Sequence, residues 1–431
     1  MDIIVSCSDS KSPPADIIFP ESTSSIIRSI KTYSQNGMKK LRLNRHEERR
    51  LESGHLWIYS NEVNSRETPL KQFQPGEQVQ VESHNGKFLG TAYVNPHSLI
   101  CARIFSRELH PLDISLLKQR LEQALRLRKA LFNEPFYRLV FGESDLLPGL
   151  VVDRFGGHLS VQLNSAGMEV LKQEIIEALK GLLTPESILL RNDSAMRQLE
   201  GLPQKIETAY GSSPKEVELL ENGVRMLAPL HDGQKTGWFY DQRTNRAIIK
   251  PFAKGKRVLD VFSYVGSFAV QAAVFGAREV IAVDTSRFAL EIAEKNAVLN
   301  GVGNIFSGAE GDAFTVLKAL RDEGERFDLV VVDPPAFIKR KKDHKEGIRA
   351  YQRINEAAMR LLKDDGLLLS ASCSMHLQRD ELMNVLRGAG RRLERHVQVL
   401  FEGRQGPDHP VHPAIAETCY LKAFLARLCR Q

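Results

Sequence analysis

The sequence has few cysteines, no long apolar run and no leader-like segment at its N-terminus. Its five cysteines are scattered and form no Cys-x-x-Cys pair: Cys7, Cys101, Cys373, Cys419 and Cys429. Such a sparse, odd set argues against a disulfide framework and a structural zinc site, so we expect no metal. No segment approaches the roughly 20 apolar residues of a membrane span, and a signal peptide is not recognisable. These absences predict a protein of the reducing cytoplasm with no membrane partner.

Length and charge set only wide limits on the fold and the partners. The chain has 431 residues, which is too long for one ordinary core and predicts roughly three domains. The apolar share of 42% is enough for a globular protein. The formal net charge of +6 permits a polyanionic partner, but alone it favours nucleic acid only slightly.

Residues 1–37 differ in composition from the rest of the chain. Nine of these 37 residues are serine, Pro13 and Pro14 are adjacent, and no helical or strand period persists. We predict a disordered tail. Ordered patterning begins at Met38, so the alternative is that translation starts at Met38, and the sequence leaves both open.

Residues 38–108 have the pattern of a small β-rich module. Short apolar runs are separated by turn signals, and one of these is Asn85-Gly86. This pair predicts a β-hairpin, because a type I′ turn needs positive φ angles.

Basic residues stand close to aromatic residues near the start of this module. Arg49 and Arg50 precede Trp57, and such a group can bind RNA through phosphate contacts and base stacking. The same residues can also form a helix face and a core tryptophan, and this segment alone favours that second interpretation.

Residues 109–215 predict a middle α+β domain. An amphipathic helix is expected at 116–132, and a helix at 168–182 follows two strands that meet at the glycine turn Gly156-Gly157. The block contains no obvious catalytic group.

Residues 216–431 predict an α/β domain of Rossmann-like architecture, with strands and helices alternating from about residue 217. Short, continuous apolar runs are typical of a parallel sheet that is covered on both faces. The candidate strands are 258–260, 280–284, 329–333 and 367–370.

Three acidic residues at successive strand ends predict a nucleoside site. In an open α/β sheet, ligands bind at the carboxyl ends of the strands. Asp260 ends the first strand, Asp284 is placed to accept both ribose hydroxyls, and Asp312 is placed to accept from an adenine amino group. Phe314 is expected to pack beside that adenine ring.

The turn after Asp260 contains Phe262, Ser263 and Gly266. Gly266 would let the backbone approach a ligand closely. A single glycine does not make the GxGxxG cradle of a pyrophosphate. A nucleoside without a pyrophosphate indicates S-adenosylmethionine.

The next strand closes with Asp333-Pro334-Pro335. Paired prolines stiffen this turn, so the Asp333 carboxylate can face a flat substrate. Phe337 is a candidate to stack on a base that has left its helix. Four basic residues follow directly, and beside such a pocket they are candidates for phosphate contacts: Lys339, Arg340, Lys341 and Lys342. The alternative is an ordinary solvated loop.

Cys373 follows the last of the candidate strands, where its side chain would point into the cleft shared with Asp333. Methylation of a pyrimidine at C5 needs a nucleophile that adds to C6, and a thiolate does this well. Most lone cysteines are packing residues, but the position of Cys373 favours a nucleophile.

The chain from about residue 40 to 430 resembles the bacterial 23S ribosomal RNA (cytosine-5) methyltransferases that carry an N-terminal PUA domain. Together the shared stretches are highly specific: 141–145, 147–149, 153–156, 231–243, 262–264, 333–335, 372–374 and 408–410. The resemblance implies a PUA domain, a middle α+β domain with a β-hairpin, and a class I methyltransferase domain. It also implies S-adenosylmethionine contacts at the glycine loop, Asp284, Asp312 and Asp333, with Cys373 as nucleophile and Asp333 on the cytosine edge.

Two departures from the family pattern stand out. The glycine loop reads Tyr264-Val265-Gly266-Ser267, where the family usually has threonine and a second glycine. Ala336 stands where the wider RNA cytosine-5 enzymes have a second cysteine, so another base must assist product release. Two other functions stay open, which are N-methylation of a guanine or adenine in ribosomal RNA and a non-catalytic role in ribosome assembly. A homodimer is also left open.

Overall fold

The computed structural model describes residues 37–430. The predictions for the N-terminal tail and for a start at Met38 concern residues that lie almost wholly outside this range. From Lys40 onward the described chain belongs to one compact unit. No helix in the described range is long and apolar enough to cross a membrane.

The first sheet has five strands in the order β1-β3-β4-β5-β2, and its strands pair antiparallel except for β1 with β3. A short helix, α1 (Glu48–Glu52), precedes β2. The strands are β1 (Lys40–Arg42), β2 (Trp57–Tyr59), β3 (Gln78–Glu82), β4 (Phe88–Val94) and β5 (Ile100–Ser106). The Asn85-Gly86 hairpin is confirmed between β3 and β4, but only Gly86 has a positive φ, of 81°. The turn is therefore not type I′, because that type needs positive φ at both central residues.

The second sheet also has five strands, in the order β10-β9-β8-β7-β6. They are β6 (Phe136–Phe141), β7 (Leu150–Phe155), β8 (His158–Leu163), β9 (Ser187–Asn192) and β10 (Lys205–Gly211). The helices are α2 (Ile114–Leu131), α3 (Ala166–Val170), α4 (Lys172–Leu183) and α5 (Ala195–Leu199). The helix predicted at 168–182 is thus divided at Leu171. The predicted hairpin through Gly156 joins β7 to β8.

A two-stranded antiparallel hairpin follows, made of β11 (Glu216–Glu221) and β12 (Val224–Pro229). The prediction that strand–helix alternation begins near residue 217 is therefore wrong for this segment. Two short helices, α6 (Arg243–Ile248) and α7 (Lys250–Ala253), lead into the next sheet.

The largest sheet has seven strands in the order β15-β14-β13-β16-β17-β19-β18. The first five of these are parallel, while β19 is antiparallel to both of its neighbours. The strands are β13 (Arg257–Val261), β14 (Glu279–Asp284), β15 (Phe306–Glu310), β16 (Phe327–Val332), β17 (Leu362–Ser372), β18 (Arg395–Gly403) and β19 (Lys422–Arg430). The four candidate strands of the sequence correspond to β13, β14, β16 and β17.

Helices cover both faces of this sheet. They are α8 (Ser267–Val274), α9 (Arg287–Leu299), α10 (Ala313–Asp322), α11 (His344–Arg360) and α12 (Arg379–Arg392). The central strands are buried on both sides, with Leu259, Val330 and Leu368 fully inaccessible. The expected α/β architecture with a parallel sheet is therefore confirmed. Because the five parallel strands point the same way, the loops after them gather at one edge.

Candidate active site

One cavity of about 360 Å³ lies at the carboxyl edge of the seven-stranded sheet. Loops that follow β13, β14, β15, β16 and β17 line it, and residues between 234 and 246 close it on another side. Its volume lies within the usual range for small-molecule sites.

Asp284 ends β14 and lines the cavity. Its Oδ2 accepts a hydrogen bond of 2.8 Å from the backbone N–H of Tyr264, and its Oδ1 accepts one of 2.9 Å from that of Ser286. A carboxylate has about four lone-pair sites, so these two bonds fix its orientation and leave acceptor capacity toward the cavity. This geometry fits the predicted contact with the two ribose hydroxyls.

The loop after β13 places Phe262 and Ser263 in the cavity wall, as predicted. The backbone at Phe262 and Tyr264 is left-handed, with φ of 66° and 50°. The buried Oγ of Ser263 has no hydrogen-bond partner among the described residues, and such an orphaned group suits a polar ligand.

Gly266 has a role different from the one predicted. Its φ is 74°, and a Cβ at this position would lie 2.8 Å from the Cβ of Ala293 on α9. The glycine is needed because α9 packs closely against this turn. Gly266 itself is not among the described residues that line the cavity.

Asp260 lies beneath the cavity rather than in its wall. It is 1% exposed, and its Oδ2 accepts a 3.0 Å hydrogen bond from the backbone N–H of Ala269 in the first turn of α8. Burial, together with the nearby Asp333 and Asp284, raises the pKa of Asp260 to about 7. The structure therefore gives Asp260 a role in holding the start of α8, which directly follows the glycine loop.

Asp312 caps α10, since its Oδ1 accepts from the backbone N–H of Thr315 at 3.1 Å. Its neighbours Gly311 and Ala313 line the cavity, whereas the lining found among the described residues does not include Asp312 itself. The expectation for Phe314 is wrong. Its ring lies under the guanidinium of Arg353, 4.8 Å from the ring centroid, in a separate depression.

Asp333 follows β16 and lines the cavity. Its Oδ2 accepts a 2.8 Å hydrogen bond from Nε2 of Gln242. Burial and the nearby Asp241 raise the pKa of Asp333 to about 7. At neutral pH this carboxyl can therefore donate as well as accept a proton. Phe337, predicted to stack on a base, instead packs against Tyr351 with the ring centroids 4.9 Å apart.

Cys373 follows β17 directly and lines the same cavity. Because β16 and β17 are paired neighbours, with Val332 opposite Ser370, Cys373 and Asp333 leave adjacent strand ends. Burial raises the pKa of the Cys373 thiol, and the ammonium of Lys235 opposes this shift. All four described cysteines are free, and Cys373 is the one that lines this cavity.

The residues between 234 and 246 were not predicted as site residues. Lys235, Asp241, Gln242 and Arg246 all line the cavity. The sequence contained one signal for the first three of them, which was the family-like stretch 231–243, but it assigned no role to any residue there.

The basic run after the Asp-Pro-Pro turn is exposed. Lys339, Lys341 and Lys342 carry no ion pair within the described chain, while Arg340 pairs with Asp343 at 3.0 Å. The run leads into α11 and begins a few residues from the cavity-lining prolines.

Arg49 and Arg50 lie on α1, in different surroundings. Arg49 is exposed. Arg50 donates to both carboxylate oxygens of Glu62, at 2.7 and 2.9 Å, and its guanidinium lies over the ring of Tyr59. Trp57 is half-buried, and its Nε1 donates to Glu143 at 2.8 Å. Arg50 thus has a structural partner, and Arg49 is the freer of the two for RNA.

The described residues contain no cluster of three or more His, Cys, Asp or Glu side chains that could hold a metal ion.

Two family models match the chain. Residues 41–107 match a PUA-like domain, and residues 190–427 match an S-adenosylmethionine-dependent methyltransferase. Among solved structures, a putative methyltransferase complexed with SAH superposes with a TM-score of 0.78 at 22% identity, over 90% of this chain and all of that one. A putative SAM-dependent methyltransferase from Streptococcus mutans gives a TM-score of 0.76 at 22% identity, with the same coverage. At this identity, the likeness establishes the fold.

Relatives of higher identity carry a specific name. A protein of Erwinia tasmaniensis named ribosomal RNA large subunit methyltransferase I is 39% identical over 380 residues, which are 87% of this chain and 95% of that protein. Its namesake in Cronobacter sakazakii is 38% identical over 378 residues, 86% of this chain and 94% of that protein. The chain therefore belongs to the S-adenosylmethionine-dependent methyltransferases, in the family that these ribosomal RNA large subunit methyltransferases I represent.

Proposed function

We propose that this enzyme methylates C5 of a cytosine in 23S ribosomal RNA through a covalent adduct between Cys373 and C6. The observation that carries the proposal is the meeting of Cys373, Asp333 and Asp284 in the wall of one cavity. The names of the relatives support ribosomal RNA as the substrate. The cytoplasm, where ribosomal RNA is made in bacteria, is the proposed compartment.

The cavity suits S-adenosylmethionine, which supplies an electrophilic methyl group when bound. Asp284 would hold the ribose hydroxyls, and the unpartnered Oγ of Ser263 offers a further polar contact. Asp312 uses Oδ1 to cap α10, and we assign its Oδ2 to the adenine amino group. Phe262 would pack against the apolar part of the nucleoside.

In the first chemical step, the Cys373 thiolate adds to C6 of the cytosine. The electron pair of the C5–C6 double bond then makes C5 a nucleophile toward the methyl group. Asp333 would hydrogen-bond the cytosine edge at N3 and give a proton there as charge develops, which its pKa of about 7 permits at neutral pH. Lys235 would stabilise the thiolate, because its charge opposes the rise in the pKa of Cys373 that burial causes.

RNA binding is assigned to exposed basic residues. We propose that Lys339, Lys341 and Lys342 contact phosphates beside the cavity, with Arg340 contributing where its pairing with Asp343 allows. In the PUA-like region, Arg49 is the candidate for a phosphate contact, and Arg50 would mainly orient Tyr59.

We also propose domains at 38–108, 109–215 and 216–431. The five strands of the first sheet lie within the first range, and those of the second sheet within the second. The β11–β12 hairpin and the seven-stranded sheet lie within the third.

N-methylation of a purine is less well supported. That reaction needs no nucleophile that adds to the base, so it would leave Cys373 in the cavity wall without a chemical role. A non-catalytic role in ribosome assembly would leave the perturbed carboxyl of Asp333 and the placement of Cys373 in the cavity without a purpose.

The test is Cys373→Ala, with Cys419→Ala as the matched control because Cys419 is exposed and does not line the described cavity. Cys373→Ala should abolish methylation and retain S-adenosylmethionine binding, whereas Cys419→Ala should retain both. Wild-type enzyme should form a stable adduct with 5-fluorocytosine RNA, since fluorine blocks the final elimination, and the adduct should map to Cys373. Turnover by Cys373→Ala would contradict the proposal.

A further inference from the structure

Three carboxyl groups line the cavity, and two of them, Asp333 and Asp241, have different surroundings. Asp333 is hydrogen-bonded by the Gln242 amide, as described above. Asp241 is 5% exposed, and its Oδ2 accepts a 2.5 Å hydrogen bond from the hydroxyl of Tyr420. The other oxygen, Oδ1, is buried and has no hydrogen-bond partner in the described chain. A buried carboxylate oxygen without a partner is costly, and it calls for an explanation.

The proposed reaction requires a base that the steps above do not contain. After methyl transfer, C5 carries both the new methyl group and a proton, and C6 is bonded to Cys373. Ala336 excludes a second cysteine at the position where related chemistry would use one. Cys373 itself is occupied by the adduct, which makes the other residues of the cavity wall the candidates for the base.

We propose that Asp241 is the base that takes the C5 proton and so releases the methylated cytosine from Cys373. The proposal rests on the proposed C5 chemistry. The Asp241 carboxylate accepts the C5 proton, the C5–H electron pair forms the C5–C6 double bond, the C6–S bond breaks, and N3 returns its proton to Asp333. Cys373 leaves as the thiolate, and the aromatic ring is restored. Asp241 then passes the proton to water.

The charges around Asp241 and Asp333 support Asp241 as the base and Asp333 as the proton donor. Burial alone would raise the pKa of Asp241, but Lys235, His409, the Tyr420 hydroxyl and Arg138 outweigh it and lower the pKa to about 2. Asp241 is therefore ionised and able to accept, whereas Asp333, with its pKa raised to about 7, is suited to donate. Two carboxyl groups with pKa values driven apart are a recurrent arrangement for acid–base pairs.

The low pKa makes Asp241 a weak base, but removal of the C5 proton from the adduct does not need a strong one. The C5 proton of the adduct is activated by the adjacent conjugated ring atoms, and expulsion of the thiolate restores aromaticity. A protonated Asp241 loses its proton to water readily, so the base is regenerated for the next turnover.

Other groups near the cavity fit the step less well. Lys235 is an exposed ammonium with no lone pair to offer. Burial raises the pKa of Tyr420 far above its ordinary value, so its hydroxyl stays protonated. The guanidinium of Arg246 has N–H donors and no acceptor.

The experiment uses the full chain, labelled S-adenosylmethionine and an unmodified 23S RNA transcript. In Asp241→Asn, the first methyl transfer should proceed, but release should stop, so that a methylated RNA adduct on Cys373 accumulates to about one per enzyme. Multiple-turnover rate should fall by about 10²- to 10⁴-fold, the usual contribution of a general base. Glu82→Gln is the matched control, since Glu82 is a buried carboxylate on β3 that pairs with Lys40 and Arg42 and is absent from the described cavity lining. It should lower the melting temperature without accumulating a methylated adduct.

A second variant covers the case in which Asp241→Asn does not fold. Tyr420→Phe removes the donor to Oδ2, so the pKa of Asp241 should increase. Because a carboxylate of higher pKa is a stronger base, the methylated adduct should break down faster than in the wild type, while the rate of adduct formation with 5-fluorocytosine RNA should stay unchanged. Slower breakdown would count against Asp241 as the base. The charged and titratable groups that face Asp241 and share this environment are Lys235, His409, Arg138, Asp333 and Cys373.

Two results would overturn the assignment of Asp241. One is turnover by Asp241→Asn within tenfold of wild type. The other is a methylated adduct that accumulates in Asp333→Asn and not in Asp241→Asn, which would make Asp333 the base. If the wild-type enzyme forms no adduct with 5-fluorocytosine RNA, the proposed methylation at C5 is contradicted, and not only the assignment of Asp241.

Discussion

Replacement of Asp284 by alanine tests the cofactor site most directly. The carboxylate has two tasks in the structure: it accepts from the backbone N–H groups of Tyr264 and Ser286, and it faces the cavity. Alanine would leave the ribose hydroxyls without their acceptor and would loosen the turn that carries Ser263. Both effects weaken the bound state.

The magnitude follows from the cost of stranded polar partners, which is about 1–3 kcal/mol. Since 1.4 kcal/mol is a factor of ten in affinity, the dissociation constant of S-adenosylmethionine should increase by about 5- to 150-fold. Asp284→Asn keeps one acceptor oxygen and should lie between the wild type and Asp284→Ala.

Isothermal titration calorimetry with S-adenosylmethionine measures this effect, and Asp322→Ala provides a control. Asp322 is an exposed residue at the end of α10, remote from the lining of the cavity. Its replacement should leave the affinity unchanged. If Asp284→Ala also binds the cofactor with wild-type affinity, the assignment of Asp284 to the ribose is refuted.

Two further predictions concern RNA binding and stability. Changing Lys339, Lys341 and Lys342 to glutamine should reduce the salt slope of RNA binding by up to about 0.7–0.9 log units per lost phosphate contact, measured by titration at several salt concentrations. The control is the double variant Lys254→Gln/Lys256→Gln at the amino end of β13, which should alter the salt slope much less. If both sets of substitutions change the slope equally, residues 339–342 form an ordinary solvated loop. Glu221→Gln should lower the free energy of unfolding by about 3–5 kcal/mol in urea, because it leaves the buried Arg246 without its counter-charge. A loss below about 1 kcal/mol would contradict this account.

The centre of the large sheet could be predicted from the sequence, but its edges could not. The apolar runs of β13, β14, β16 and β17 are buried on both faces, so hydrophobicity alone marks them. β18 is exposed along most of its length, and β15 contains Gly308 and polar residues. The β11–β12 hairpin shows how an antiparallel pair can be mistaken for the start of an alternating region. Its two strands are joined only through Asn222 and Gly223, and both have positive φ angles.

The acidic residues of the site could be predicted because they follow strands. Asp284 and Asp333 are at the same sheet edge by topology alone, and so is Cys373. The direction in which a side chain points could not be predicted in the same way. Phe314 stands two residues after Asp312 and Phe337 four residues after Asp333. The ring of Phe314 nevertheless contacts Arg353, and that of Phe337 packs against Tyr351. Asp241 could not be predicted because a loop and a short 3-10 turn carry it, and its partner Tyr420 is 179 residues later in the chain.

The family-like stretches 153–156 and 408–410, which lie outside the cavity, belong to one hydrogen-bond network with the segment that bears Asp241. Asp153 on β7 accepts from the guanidinium of Arg138 and from the hydroxyl of Thr236, at 2.7 and 2.5 Å. Asp408 accepts from the backbone N–H of Arg138 at 3.0 Å. The middle sheet therefore anchors the 231–242 segment. A sequence motif far from the ligand can thus be required because it holds this segment in place, and not because it takes part in the chemistry.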